Sequence, residues 1–133
     1  MAKEHKYHNS AVIIQTSLSP EQALNIAKEV VDSQREVHLS DLYSDGFSVV
    51  VKAPFGNVIL HFLVTAKPND WGTELSTYIV EYNTSVNTFL FIPIGPKTMD
   101  GYGSYRRYMN GLVQVVSAAD PTSLAKITER TAA

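Results

Sequence analysis

The stretch from Asn57 to Ile92 places the strongest constraint on the fold of this chain. It contains three runs of alternating or β-branched apolar residues, separated by the turn sequences PNDWG and NTS. Short runs of this kind, bounded by Gly, Pro, Asn and Ser, are typical of strands joined by tight turns. We therefore predict three consecutive antiparallel strands. The other segments must cover the sheet that these strands begin.

The segments before this stretch predict a strand, a helix and a hairpin. The run from Ser10 to Ser17 is β-branched, and Ser19, Pro20 and Gln22 then form a helix start with an N-cap, a first-turn proline and a capping box. Apolar residues at helical spacing continue this helix for about four turns. Residues 37–42 and 47–53 are strand candidates joined by a turn that contains Asp-Gly.

The C-terminal part predicts a second, longer helix. After a segment rich in Gly and Pro, apolar residues recur at helical spacing from Tyr102 to Ala119. Pro121 disfavours helical geometry at Asp120, which ends the helix. The order predicts an α+β fold: a single antiparallel sheet of about six strands, with an N-terminal helix and a long C-terminal helix packed on one face. Residues 10–120 form one domain, between a flexible arm (1–9) and a tail (121–133).

Composition excludes several classes of protein. With 133 residues, 44% hydrophobic and 18% charged, the chain has the composition of a globular domain and differs from disordered sequences. A net charge of -2 provides no general attraction to nucleic acid, and no apolar run is long enough to span a membrane. The absence of cysteine excludes disulfides and thiolate metal sites. We expect a soluble cytoplasmic protein without a nucleic-acid or membrane partner.

Two segments carry a resemblance to a known superfamily. In order and position, SAVIIQTSLSPEQALNIAKEVV and GYGSYRRYMNGLVQVVSAAD resemble the first strand and helix and the last helix of the START and polyketide-cyclase-like (SRPBCC, helix-grip) superfamily. This chain has one continuous first helix where that family commonly has two short ones. The resemblance implies a cavity for an apolar or aromatic small molecule, lined by Phe62, Tyr78, Tyr82, Tyr105 and Met109. The alternative is that these side chains fill a solid core.

A second candidate site precedes the last helix. Two glycines leave backbone N–H groups free at the positive end of the helix dipole, and Lys97, Arg106 and Arg107 add positive charge. An anion could bind there. Alternatively, Asp100 caps the same amides and the arginines extend into water.

Candidate catalytic residues are few. His61 and Glu81 could form an acid–base pair if the strand register brings them together, although a solvent-facing or interface histidine is the simpler interpretation. No hydrolase triad order, zinc-protease motif, phosphate-binding loop or calcium loop is present, and we predict no cofactor, no metal site and no catalytic residue. The sequence does not favour an enzyme.

The last prediction concerns partners. A period of two residues assigns Leu60, Phe62, Val64, Tyr78, Val80 and Tyr82 to the face that the helices cover. The opposite face then carries Ile59, His61, Leu63, Leu75 and Ile79, which is too apolar for a face in water. A second copy of the chain would cover it, so we predict a homodimer or higher oligomer. The alternative is that these are scattered surface aliphatic side chains, which need no cover. The two functional hypotheses are therefore a small-molecule-binding domain and, as the alternative, an oligomer-forming interaction protein.

Overall fold

The computed structural model describes residues 5–129, and the side chains of residues 87–89 and 93–97 are outside that description. Along the chain lie β1 Ala11–Thr16, α1 Pro20–Asp32, β2 Val37–Tyr43, β3 Gly46–Lys52, β4 Val58–Asn69, β5 Gly72–Tyr82, β6 Thr84–Phe89, β7 Ile92–Met99, α2 Tyr102–Ala119 and β8 Leu124–Thr128. The predicted α+β fold is confirmed: a six-stranded antiparallel sheet with both helices packed against it. Neither helix within residues 5–129 combines the length and apolar character that crossing a membrane requires.

Local sequence chemistry explains where the helices begin. The Ser19 hydroxyl accepts the Gln22 amide hydrogen at 3.1 Å, and the Gln22 side chain accepts that of Ser19 at 3.0 Å, which is the predicted capping box. The α2 helix begins after Gly101, whose φ of 80° favours glycine. The buried faces of the helices consist of Ala23, Ala27, Val30 and Val31 from α1 and Tyr105, Tyr108, Met109, Leu112 and Val116 from α2.

The strand order differs from the simple meander that the sequence predicts. The sheet has the order β2-β3-β4-β5-β1-β8, so β1 pairs along the edge of β5 that the third predicted strand would have used. That third strand, β6, pairs instead with β7 in a separate two-stranded hairpin. The prediction of three consecutive strands in one sheet is therefore wrong in its last strand, because the N-terminal strand takes the place.

Both segments outside the predicted domain contribute to the fold. Residues 124–128, which the sequence assigned to a tail, form β8, which pairs with β1 from Ala11 to Gln15. In the predicted N-terminal arm, the ring of Tyr7 stacks on Tyr102 with centroids 4.4 Å apart. The His5 amide donates to the Tyr82 hydroxyl at 2.8 Å. The described part of the arm therefore packs on the domain.

The register of β4 and β5 corrects the predicted faces. Residues directly opposite each other on neighbouring strands point to the same face. Val64 lies opposite Thr77, and Leu63 lies opposite Tyr78. Leu75 and Thr77 are consequently buried under the helices, whereas Tyr78 is 46% exposed on the outer face. The sequence reading placed Leu75 outside and Tyr78 inside, and both assignments are wrong because the turn at Asp70-Trp71 pairs even-numbered residues of β4 with odd-numbered residues of β5.

Further along β4 and β5, an irregularity in the pairing reverses which residues of β5 face the core. The register shifts between His61 and Phe62, so that Ile79 lies opposite Phe62 while Tyr82 lies opposite Leu60. One extra residue on a bulged strand has this effect. Ile79 and Tyr82 therefore both pack against the core, and Val80 is exposed. The predicted inward position of Tyr82 is confirmed. Ile79, which was predicted on the outer face, packs inward, and Val80, which was predicted on the covered face, is exposed.

A chain of hydrogen bonds connects α2 to the neighbouring strands β1 and β5. The Val12 amide donates to the Thr77 hydroxyl at 3.2 Å. The Tyr105 hydroxyl donates to the Ser10 carbonyl at 2.7 Å and lies 2.9 Å from the Thr77 hydroxyl, which must therefore donate to it. Burial raises the pKa of the Tyr105 hydroxyl, which keeps it protonated as the donor this chain requires.

Candidate functional site

The residues predicted to line a cavity under α2 mostly fill the core. Phe62, Tyr105 and Met109 have no accessible surface, so no water-sized void touches them. The Phe62 ring packs 4.8 Å from the Tyr105 ring and 5.2 Å from the Tyr108 ring, measured between centroids. Tyr78 faces away from this group, on the outer side of the sheet. The five residues are therefore not brought together around one open space.

The two arginines of the predicted anion site point to different carboxylates. Arg106 pairs with Glu129 at 2.9 Å, and Arg107 pairs with Glu36 at 2.7 Å. The Ser104 hydroxyl and Arg107 donate to Glu36, and these bonds lower the pKa of its carboxyl. The anion beside the first turn of α2 is therefore a side chain of the protein itself. The side chain of Lys97 lies outside the described residues.

The residues of the predicted oligomer face divide into two groups. Leu75 is buried under the helices, and Ile59 and Ile79 pack against the core. His61 and Leu63 lie half-buried on the outer face, where Leu63 is directly opposite Tyr78. His61 lies opposite Glu81, as the sequence suggested, but its buried Nε2 makes no hydrogen bond with the described residues. No group of three or more His, Asp and Glu side chains among residues 5–129 could hold a metal ion.

A cleft at one end of the sheet has the properties of a ligand site. It measures about 500 Å³ and is lined by Gln15, Thr16, Ser17, Trp71, Thr122 and Leu124. These residues come from the end of β1, the turn between β4 and β5, and the connection from α2 into β8. Trp71 and Leu124 are 83% and 73% exposed, so both present apolar surface to solvent at the cleft. Sites for small molecules are mostly apolar and concave, with a few polar groups fixed in place.

Asp120 fixes the polar floor of this cleft. One carboxylate oxygen accepts the Thr16 hydroxyl at 2.7 Å and the Ser17 amide at 2.8 Å. The other accepts the Thr122 hydroxyl at 2.6 Å and the Thr122 amide at 3.1 Å. These bonds, that of the Thr122 hydroxyl first, hold the pKa of the Asp120 carboxyl well below its usual range. Asp120 is itself almost fully buried, so it orients the floor without being part of the open surface.

Two further contacts hold the walls of the cleft. A side chain at Gly72 would place its Cβ atom 2.4 Å from the Thr16 carbonyl oxygen, and the φ of Gly72 is 133°. Glycine therefore allows the turn that carries Trp71 to lie against the end of β1. The Gln15 side chain is held at both ends, because its amide nitrogen donates to Glu74 at 3.3 Å and its oxygen accepts from Asn69 at 2.7 Å.

Sequence reasoning did not predict this cleft. The sequence predicts a helix end at Asp120 and a turn between strands at Trp71, and both predictions are correct locally. The available signal was the only tryptophan of the chain within the polar turn PNDWG, where a large aromatic residue contributes nothing to the turn itself. The meeting of three chain segments that are distant in sequence depends on the position of β1 between β5 and β8, which the sequence does not specify.

Known proteins provide no further guide to this site. Comparison of the chain with protein-family models, with curated proteins and with solved structures finds no match.

Proposed function

We propose that this protein is a small-molecule-binding domain and that the ligand occupies the cleft beside Trp71. One observation supports the proposal. The exposed side chains of Trp71 and Leu124 line the cleft beside polar groups that are already hydrogen-bonded to Asp120. Trp and Leu walls favour a ligand with an apolar or aromatic body, because an aromatic face and an aliphatic side chain both gain by excluding water from such a surface. A floor fixed in advance reduces the entropy lost on binding.

NMR titration tests this proposal directly. Because the chain has one tryptophan, the indole N–H resonance reports the cleft without ambiguity. We expect p-cresol, a small aromatic probe, to shift this resonance saturably. Leu124→Ser should weaken the effect by removing one wall. Phe55→Ser is the matched control: Phe55 is 98% exposed in the turn at the opposite end of β4, and its loss should change nothing. A shift that rises linearly with probe concentration, equally in all three proteins, would contradict the proposal.

A second proposal is a homo-oligomer formed through the outer face of the sheet. Its support is a patch in which Tyr78 lies opposite Leu63 on the neighbouring strand, while Ile13 lies opposite Ser76, two residues along β5. Ile13 and Tyr78 are 43% and 46% exposed, and a contiguous apolar patch of this kind is typical of protein contacts. Sedimentation equilibrium at increasing concentration measures the stoichiometry, and a monomer at every concentration would exclude this proposal.

A further inference from the structure

Four hydrogen atoms on the floor of the cleft are already committed to Asp120. An ionised carboxylate can only accept hydrogen bonds, so the hydroxyls of Thr16 and Thr122 must both direct their hydrogens to Asp120. The backbone amides of Ser17 and Thr122 do the same. The Gln15 amide nitrogen donates one of its two hydrogens to Glu74. The polar groups below Trp71 therefore direct these hydrogens toward protein carboxylates and away from the cleft.

The oxygen atoms of the same groups retain lone pairs. The Thr16 oxygen accepts one bond, from the Leu18 amide at 3.2 Å. Thr122 is exposed, and no described residue donates to its hydroxyl oxygen. A hydroxyl oxygen has two acceptor positions, so the Thr122 oxygen can accept a hydrogen bond from a ligand.

The charged side chains that are hydrogen-bonded to the cleft lining have one sign. None of the described lining residues is charged, and the two charged side chains that are hydrogen-bonded to them, Asp120 and Glu74, are both carboxylates. A ligand anion in the cleft would be repelled by both. A neutral or positively charged group would not.

From these two features we propose that the cleft selects ligands that carry a hydrogen-bond donor and no negative charge, such as aromatic alcohols or amines, with the donor on the Thr122 hydroxyl oxygen and the aromatic body against Trp71. This inference rests on the proposed binding function and specifies its ligand class. Since one hydrogen bond contributes about 0.5–1.5 kcal/mol net, loss of the donor should weaken binding roughly two- to tenfold.

Matched pairs of probes test the ligand class on the unaltered protein, with the Trp71 indole resonance as the readout. We expect p-cresol to bind more tightly than p-methylanisole, which keeps the ring and the oxygen but has no donor. We likewise expect p-methylbenzylamine to bind more tightly than p-toluate, which carries a negative charge. Equal affinity of p-cresol and p-methylanisole, or a preference for p-toluate, would overturn the inference while leaving the binding function in place.

A pair of variants tests the role of Thr122. Thr122→Val removes the acceptor and keeps the shape, so p-cresol should fall to the affinity of p-methylanisole. Thr122→Ser keeps the hydroxyl and should preserve the difference between the two probes. A difference that persists in Thr122→Val would show that the donor binds elsewhere. If none of the probes saturates in the unaltered protein, the binding function itself fails together with this inference, and that result is distinct from saturation without discrimination.

Discussion

Two buried tyrosines on α2 use their hydroxyls differently. Tyr105 donates to the Ser10 carbonyl and accepts from Thr77, so it completes a chain of bonds between α2, β1 and β5. Tyr108 makes one bond, to the Ala27 carbonyl of α1 at 2.8 Å. Burial raises the pKa of both hydroxyls, so both remain protonated at neutral pH.

We predict that Tyr105→Phe lowers the free energy of unfolding by about 1–3 kcal/mol, because the Thr77 hydroxyl hydrogen and the Ser10 carbonyl both lose a buried partner. Tyr108→Phe should lower the free energy of unfolding by less, because only the Ala27 carbonyl oxygen loses a hydrogen-bond donor. Urea unfolding of both variants measures the difference. An equal or larger loss for Tyr108→Phe would contradict the hydroxyl chain.

Ionisation of Asp120 makes the stability of the folded protein depend on pH. Its folded pKa is lowered from the ordinary value of 3.8, so between the folded and the ordinary pKa the unfolded chain binds more protons than the folded one. The stabilisation by Asp120 is therefore complete above pH 3.8 and is lost as pH falls below that value toward the folded pKa. It is not lost by raising the pH.

The corresponding prediction concerns Asp120→Asn. One oxygen of the carboxylate becomes an NH₂ group, which cannot accept the threonine hydroxyl bond and the amide bond that this oxygen receives. The variant should therefore be less stable than the unaltered protein at neutral pH. The difference should shrink as pH falls below 3.8, because protonation weakens the same bonds in the unaltered protein. Urea midpoints of both proteins across an acidic pH series measure this. A difference independent of pH would show that the ionised form is not what stabilises the floor.

At the scale of elements, the turn between β4 and β5 brings Trp71 to the end of β1. We predict that Gly72→Ala destabilises the protein by about 1–3 kcal/mol, because alanine disfavours a φ of 133° and its Cβ would lie 2.4 Å from the Thr16 carbonyl oxygen. Gly103→Ala is the matched control. It lies in α2 with open space around its position, and it should be neutral or stabilise by up to about 1 kcal/mol. Thermal unfolding of both variants compares them. Similar losses would contradict a specific need for glycine beside β1.

The elements that the sequence predicts well are those with strong local signals. The Ser19 capping box and the Asp120-Pro121 stop fix a helix end by local chemistry, and the predicted α2 from Tyr102 to Ala119 is confirmed residue for residue. The β7 strand, with its prolines and glycine, and the short β8 have no such signal. They become strands through pairing with β6 and with β1, which is a tertiary effect.

The residues of the candidate site could not be predicted from the sequence for a related reason. The faces predicted for the β4 and β5 residues follow from the period of two along each strand, which leaves the relative register of the two strands open. A displacement of one residue exchanges the two faces of a strand. Leu75 and Tyr78 lie on the opposite faces from those predicted for this reason.

For the whole molecule, the outer face of the sheet is the proposed contact surface between copies of the chain. We predict that the double variant Ile13→Ser, Tyr78→Ser lowers the association constant of the proposed oligomer by at least tenfold, because it removes the two most exposed apolar side chains of the patch. Neither residue belongs to the Trp71 cleft, so p-cresol binding should be unchanged. Sedimentation and the indole resonance measure the two effects separately. A variant that associates as strongly as the unaltered protein would place the contact elsewhere.

Tyr102 contacts both the N-terminal and the C-terminal segment of the described chain. Tyr7 stacks on it, and its hydroxyl lies 2.8 Å from that of Ser10 and 3.4 Å from the Glu129 carboxylate. Any chain that continues before residue 5 or beyond residue 129 therefore starts from the same corner of the molecule. Such a geometry makes the fold suitable for insertion into a surface loop of a host protein, and for circular permutation: a short linker across this corner and new ends at the exposed turn around Phe55 should leave the sheet and the Trp71 cleft intact.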